Sequence, residues 1–343
     1  MKNCVSFDDV LLVPKFSEVI SRKEISLESS LNPKPSHKEN LVFELPIISS
    51  PMDTVTEDAM ACAMHNAGGL GIIHRYNSVR DQALLVRSCE GANVGATIGV
   101  SGDYLERAKA LLDNGANVLC IDIAHGHHTL MRHALETLRN TFGWDVHIMA
   151  GNVATRSGYE DLARWGASSV RVGIGGGSIC STRIQTGHGM PTLQSVIDCS
   201  YSELAGEIPI IADGGIKNSG DIVKAIGAGA DFVMLGSLLA GTSESPGHVY
   251  SENGEQSKVY RGMASKDAQI SWRGHTSSVE GVTSTIPFKG SVEEILAELC
   301  TGIRSGLSYS GCFDIGEFQA SSEFVRQSVA GATESSTHIL TRG

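Results

Sequence analysis

The segment Gly173-Ile174-Gly175-Gly176-Gly177-Ser178-Ile179-Cys180-Ser181-Thr182-Arg183 holds the densest group of residues able to do chemistry. Its four glycines let backbone coil closely around a ligand or ion. Ser178 can donate a hydrogen bond to a phosphate. Cys180 falls where a thiol can be exposed, which a thiolate nucleophile requires, because a thiol enclosed by apolar groups stays protonated and inert. The alternative is a glycine-rich turn with an incidental cysteine.

A second group is Asp213-Gly214-Gly215, followed by Gly236-Ser237. Small residues in two successive loops can lay backbone N–H groups around a phosphate. Asp213 can accept hydrogen bonds from ribose hydroxyls, or it can cap a helix. Flavin-dependent barrels use the same phosphate arrangement, so the pattern alone does not select one enzyme. The third group, Asp122-Ile123-Ala124-His125-Gly126-His127-His128, is a candidate polar shelf for a cofactor. Zinc is the alternative, but no further ligands stand at zinc spacing.

These groups need elements to hold them. Eight apolar runs rich in β-branched residues recur: Leu45–Pro51, Gly69–His74, Asn93–Gly99, Val118–Ala124, Val146–Gly151, Ser169–Gly175, Ile208–Gly214 and Asp231–Gly236. Segments of helical periodicity, such as Tyr104–Asn114 and Asp221–Gly227, separate most of them. Parallel strands buried on both faces read as continuous apolar runs, and eight alternating units predict a closed (β/α)₈ barrel, the TIM-barrel class of α/β fold. Several runs end in Gly, Ser, Asp or Asn, so one face of the barrel should be ringed by small and polar groups. A single barrel domain is expected over residues 1–343. Ser195–Glu207 reads as an extended connection. Ser243–Lys289, after the eighth strand, is too long for a simple loop and reads as a small hairpin with a flap.

The formal charge of −11 and the absence of a long basic run argue against nucleic acid as a partner. No apolar run reaches membrane-span length, and Met1–Pro14 lacks the pattern of a signal peptide. Eight scattered cysteines without a CxxC pair make a disulfide framework improbable, so cytoplasm is the expected compartment.

At this point several motifs converge. They are SFDDVLLVP (Ser6–Pro14), ISSPMDTVTE (Ile48–Glu57), GGLGIIH (Gly68–His74), AHGH (Ala124–His127), AGNVAT (Ala150–Thr155), the Cys180 loop, ADGGI, GADFVMLGS and YRGM. Together they resemble the inosine-monophosphate dehydrogenase and guanosine-monophosphate reductase family over nearly the whole chain. The resemblance implies an NAD(P)-dependent oxidoreductase in which Cys180 attacks carbon 2 of a purine nucleoside monophosphate and forms a thioimidate. It implies proton transfer by Thr182 and Glu280. Ser178, Gly215, Gly236, Ser237 and Tyr260 would hold the phosphate and Asp213 the ribose, while Ser50, Met52, Gly262 and Met263 would line the nucleotide site. Asp122, Ala124 and Asn152 would face the nicotinamide cofactor. The carbonyls of Gly175, Gly177 and Cys180 resemble a potassium site, completed by Glu334, Ser335 and Ser336 of a neighbouring subunit in a homotetramer.

The family's two branches part at the covalent intermediate. A dehydrogenase hydrolyses it and takes a water-activating Arg-Tyr pair from a long flap; a reductase expels ammonia. Here the flap, Ser265 to Glu280, is short, and Arg273 has Trp272 and Gly274 as neighbours. The regulatory CBS insertion is absent. These features favour GMP reductase with NADPH. IMP dehydrogenase with NAD remains the alternative, because AHGH and SSPMDTVTE have its look. Ser277, Val279, Thr192 and Gly176 also depart from the usual residues at their positions. An inactive nucleotide-binding relative is a reading of another class, which intact Cys180, Thr182 and Glu280 oppose.

Overall fold

The computed structural model describes residues 3–32 and 41–335. The eight apolar runs form eight parallel strands: β1 (Ile47–Ser49), β2 (Leu70–Ile73), β3 (Val94–Ile98), β4 (Val118–Asp122), β5 (His147–Val153), β6 (Ser169–Val172), β7 (Ile210–Asp213) and β8 (Phe232–Leu235). They pair in chain order, and β8 closes on β1 through the register Val233↔Ile47 to Leu235↔Ser49. The fold is a closed (β/α)₈ barrel.

Alternation along the strands sorts side chains into two cores. Ile48, Leu70, Ile72, Val118, Cys120, Met149, Ile211 and Phe232 point into the barrel and share one buried cluster with Leu31, Leu41 and Phe43. Phe43 meets Phe232 edge-on at 5.8 Å, so the N-terminal segment plugs the barrel floor. Ile47, Leu119, Ile121 and Ile148 face outward into the larger cluster beneath the helices. The floor and interior are filled, which leaves the C-terminal strand ends for a ligand.

The helices that follow the strands are α1 (Asp58–Asn66), α2 (Val79–Ser88), α3 (Tyr104–Asp113), α4 (Thr129–Phe142), α5 (Arg156–Arg164), α7 (Thr192–Ser200), α8 (Ser219–Gly227) and α10 (Val292–Tyr309); a short α6 (Thr182–Thr186) precedes α7. Polar side chains start several of them, as Ser78 does by accepting from Asp81 N at 3.0 Å. The reading of Ser195–Glu207 as an extended connection needs correction. Ser195–Ser200 continues α7, with Leu193, Val196 and Cys199 buried at helical spacing, and polar Gln194, Ser195 and Asp198 between them obscured the pattern.

Between β8 and α10 the chain forms a three-stranded antiparallel sheet, β9 (Tyr250–Glu252), β10 (Glu255–Arg261) and β11 (Thr283–Pro287), with helix α9 (Lys266–Arg273) inside the last connection. The expected hairpin is present, and the flap carries a helix as well. Among the described residues no helix is long and apolar enough to cross a membrane.

Candidate active site

Residue Gly173, directly after β6, shows why this loop needs glycine. Its φ is +152°, and a side chain there would put Cβ 1.9 Å from the Asp213 carbonyl oxygen. The close approach lets the loops after β6 and β7 meet, and Cys180 follows on the same loop. Cys180 is half-buried, and its N–H donates to the Gly177 carbonyl at 3.1 Å.

The flap docks onto this loop as an added strand. Val282 N donates to Ile179 O at 3.0 Å, and Ser181 N donates to Glu280 O at 3.0 Å, bracketing an antiparallel bridge between Cys180 and Gly281. Docking brings three side chains into line. The Cys180 thiol donates to Thr182 Oγ1 at 3.2 Å, and Thr182 Oγ1 donates to Glu280 Oε2 at 2.8 Å. Ser278 Oγ holds the other carboxylate oxygen at 3.0 Å. The arrangement can carry a proton from the sulfur to a carboxylate and back. Buried Gln269 of α9 fixes the flap's shape by bonding Ser277 N at 2.9 Å and Ser278 O at 2.8 Å.

One cavity of about 400 Å³ gathers the residues singled out from sequence. Cys180, Thr182 and Glu280 line one side. Ser178, Gly215, Gly236 and Ser237 come from the ends of β6, β7 and β8, and Tyr260, Gly262 and Met263 from the flap. Burial raises the Tyr260 hydroxyl's pKa, against hydrogen bonds with Ser178 and Ser237, so it remains a donor. Ser50 and Met52 follow β1. Asp122, Ala124 and Asn152 follow β4 and β5, and Gly175 and Gly177 complete the rim.

Arg171 is a central residue that sequence reading missed. It stands on β6, nearly fully buried, and bonds Asp122 Oδ1 at 2.6 Å and Asp213 Oδ2 at 2.8 Å. Burial opposes its charge, but Asp213 and Asp122 outweigh that and keep the guanidinium protonated. Asn152 Nδ2 donates to the same Asp213 oxygen at 2.8 Å. The other Asp213 oxygen has no protein donor among the described residues. The available clue was an arginine inside an otherwise apolar strand, since a buried charge needs partners. Arg261, which bonds Asp53 at 2.6 Å and clamps the flap to the loop after β1, was also missed.

The histidines divide. His127 bonds Asp161 at 2.9 Å, and His128 caps α4 by accepting from Leu130 N at 3.1 Å, so both have structural partners. No cluster of three metal-binding side chains occurs among the described residues. Glu334 and Ser335 end a short helix (Val329–Glu334) packed on the turn Phe7–Asp9, and neither lines the cavity. Ser336 lies outside the described residues.

The family model for the IMP dehydrogenase / GMP reductase domain matches residues 4–338. The chain belongs to this family. The IMP dehydrogenase / GMP reductase family comprises NAD(P)-dependent oxidoreductases of purine metabolism, and this chain is one of them. It is 35% identical to inosine-5'-monophosphate dehydrogenase of Nitrosopumilus maritimus (strain SCM1), covering 98% of each chain. It is 32% identical to GMP reductase of Leishmania major, covering 98% of this chain and 97% of that one. A solved structure of a variant GMP reductase from Trypanosoma brucei in complex with guanosine 5'-monophosphate superimposes with a TM-score of 0.93. Its sequence is 30% identical, and the match covers 99% of this chain and 98% of the other. Both branches of the family are therefore among the relatives.

Proposed function

We propose that this protein is a GMP reductase, converting GMP and NADPH to IMP, ammonia and NADP. The observation that carries the reading is the completed Cys180–Thr182–Glu280 relay beneath a docked flap that lacks an Arg-Tyr pair. Cys180 Sγ bonds to purine carbon 2 while its proton passes through Thr182 to Glu280. The relay returns that proton to the 2-amino group, which leaves as ammonia, and a thioimidate remains. NADPH, when bound, supplies hydride to carbon 2. The carbon–sulfur bond then breaks, and the thiolate recovers a proton from solvent through the same relay.

Ser178, Gly215, Gly236, Ser237 and Tyr260 would hold the phosphate. Asp213, braced by Arg171 and Asn152, would hold the ribose, and Ser50, Met52, Gly262 and Met263 would enclose the rest of the nucleotide. Asp122, Ala124 and Asn152 fit the nicotinamide end, because they line the same cavity as Cys180. Support for the ligand class comes from the Trypanosoma brucei relative, whose structure holds GMP.

Potassium fits the Cys180 loop on its donor chemistry. Gly175, Gly177 and Cys180 offer carbonyls on one loop, and the two glycines put no side chain over theirs. Turnover in potassium against lithium salts tests it. A homotetramer accords with exposed apolar Ile20 and Val329, and light scattering tests that. Eight free cysteines accord with a cytoplasmic setting.

The deciding experiment supplies GMP with NADPH, then IMP with NAD, and follows reduced nicotinamide by absorbance. Oxidation of NADPH with GMP is expected. NAD reduction by IMP with GMP inert would overturn the reading. Arg273, which lines the cavity, would then be the candidate base for water.

A further inference from the structure

A second cavity, of about 260 Å³, adjoins the first at the residues proposed to hold the phosphate. Gly176, Ser178, Gly215 and Ser237 line both cavities, whereas Arg183, Pro191, Thr192 and Lys217 line only the second. The phosphate loops are therefore a shared wall, with space on both sides of it.

The second cavity has the chemistry of an anion site. Thr192 is 4% exposed, and its Oγ1 has no hydrogen-bond partner among the described residues. Buried hydroxyls are almost always bonded, so this one is left for a ligand's acceptor. Thr192 is also the first residue of α7, and Pro191 at the N-cap offers no side-chain acceptor to the first turn. Unmet N–H groups and the helix dipole attract negative charge there. Gly176 leaves room in front of the hydroxyl, because a Cβ at that position would stand 2.5 Å from Thr192 Oγ1.

Two cations and one carboxylate line this recess. Lys217 Nζ bonds Asp8 at 2.8 Å, and both side chains are more than half exposed, so the pair can open at small cost. Arg183 gives one Nη2 donor to the Met190 carbonyl at 2.6 Å and has no carboxylate partner among the described residues.

We infer that this cavity is a subsite for a second phosphoryl group, so that the protein binds a purine nucleoside 5′-diphosphate with its terminal phosphate against Thr192, Lys217 and the start of α7. The inference rests on reading the larger cavity as the site of a nucleoside monophosphate with its phosphate at Ser178, Gly215 and Ser237. The base and ribose then fill the first cavity, towards Cys180 and Asp213, and an added phosphoryl group has the second to enter. Its oxygens are acceptors only, and they match a hydroxyl, helix N–H groups and an ammonium, all of them donors. An apolar extension would leave the Thr192 hydroxyl unmet.

The test needs no turnover. Guanosine 5′-diphosphate and GMP differ by that one group. Each is titrated by calorimetry against the full chain in magnesium-free buffer. The diphosphate should bind tighter by on the order of tenfold. Thr192→Val removes the hydroxyl and keeps the shape, and it should pull the ratio of the two affinities back towards one. Lys217→Ala, at an exposed position, should do the same. Asp8→Asn removes the carboxylate that competes for Lys217 and should raise the ratio, whereas a merely structural role for Asp8 would weaken both ligands together.

Diphosphate binding no tighter than that of GMP in the wild type would overturn the subsite and leave the proposed reaction standing. So would a ratio that none of the three variants moves. The inosine pair, IMP and inosine 5′-diphosphate, carries the same comparison if the site prefers hypoxanthine, so a tighter diphosphate there would refute the preferred base and support the subsite. Failure of all four nucleotides to bind would overturn the mononucleotide site and the subsite together.

Discussion

Thr182 Oγ1 donates to Glu280 Oε2 at 2.8 Å although 98 residues separate them. Thr182 begins the helix after the Cys180 loop, and Glu280 precedes the returning flap strand. The relay therefore depends on the register in which the flap docks against the Cys180 loop.

Replacing Glu280 by Gln preserves shape and removes the proton acceptor. The kcat for GMP reduction should fall by on the order of 10²–10⁴, with little change in KM for GMP. Thr182→Val should do the same. Because the two act in series, the double variant should lose scarcely more than either single one. Additive losses in steady-state kinetics would contradict the relay.

Cys180→Ala should abolish turnover while GMP binding, measured by calorimetry, stays close to that of the wild type. On the proposed mechanism the covalent step resides in the sulfur, and affinity in the phosphate and ribose contacts. Asp213→Ala should show the opposite profile, with binding weakened strongly. Substantial turnover by Cys180→Ala would remove the thioimidate from the mechanism.

Arg171→Met should destabilise the fold by about 3–5 kcal/mol, because it leaves two carboxylates at the barrel mouth without their shared cation. Urea unfolding measures this. Nucleotide affinity should drop as well, since Asp213 loses its brace. Arg171→Lys should recover only part of both effects, because one ammonium lacks the fork that spans Asp122 and Asp213. An unchanged unfolding midpoint in Arg171→Met would refute the account.

His147, buried inside the barrel wall and bonded to Ser169 at 2.8 Å, has its pKa lowered from 6.5 to about 3, by burial and then by Arg139. The unfolded chain takes up this proton below pH 6.5 and the folded chain does not. The contribution is thus complete above 6.5 and is lost as pH falls from 6.5 toward 3, at up to about 1.4 kcal/mol per pH unit. In His147→Gln the loss of stability between pH 7 and 5 should be shallower. Identical slopes in urea unfolding would show that His147 is not the titrating group.

Much of the architecture was legible without coordinates. A parallel strand covered on both faces has to be apolar throughout, so each barrel strand appears in the composition of its own segment. The Cys180 loop was legible for a similar reason, since its glycines and thiol are neighbours in sequence. Helix α7 was only half legible, because its buried face shares the segment with Gln194, Ser195 and Asp198.

By itself, then, the sequence determined what is encoded within single segments: eight strands, the Cys180 loop, and the small residues at the strand ends. Only the tertiary structure decided which distant charges meet. Arg171 joins Asp122 and Asp213 because closure sets β4, β6 and β7 around one mouth. Glu280 reaches Thr182, and Arg273 shares a recess with Arg75, because the flap docks in one register against the loops. A charged side chain on a strand or flap has no local pattern that names its partner. The partner is set by how the elements pack, and that packing is driven by apolar burial elsewhere in the chain.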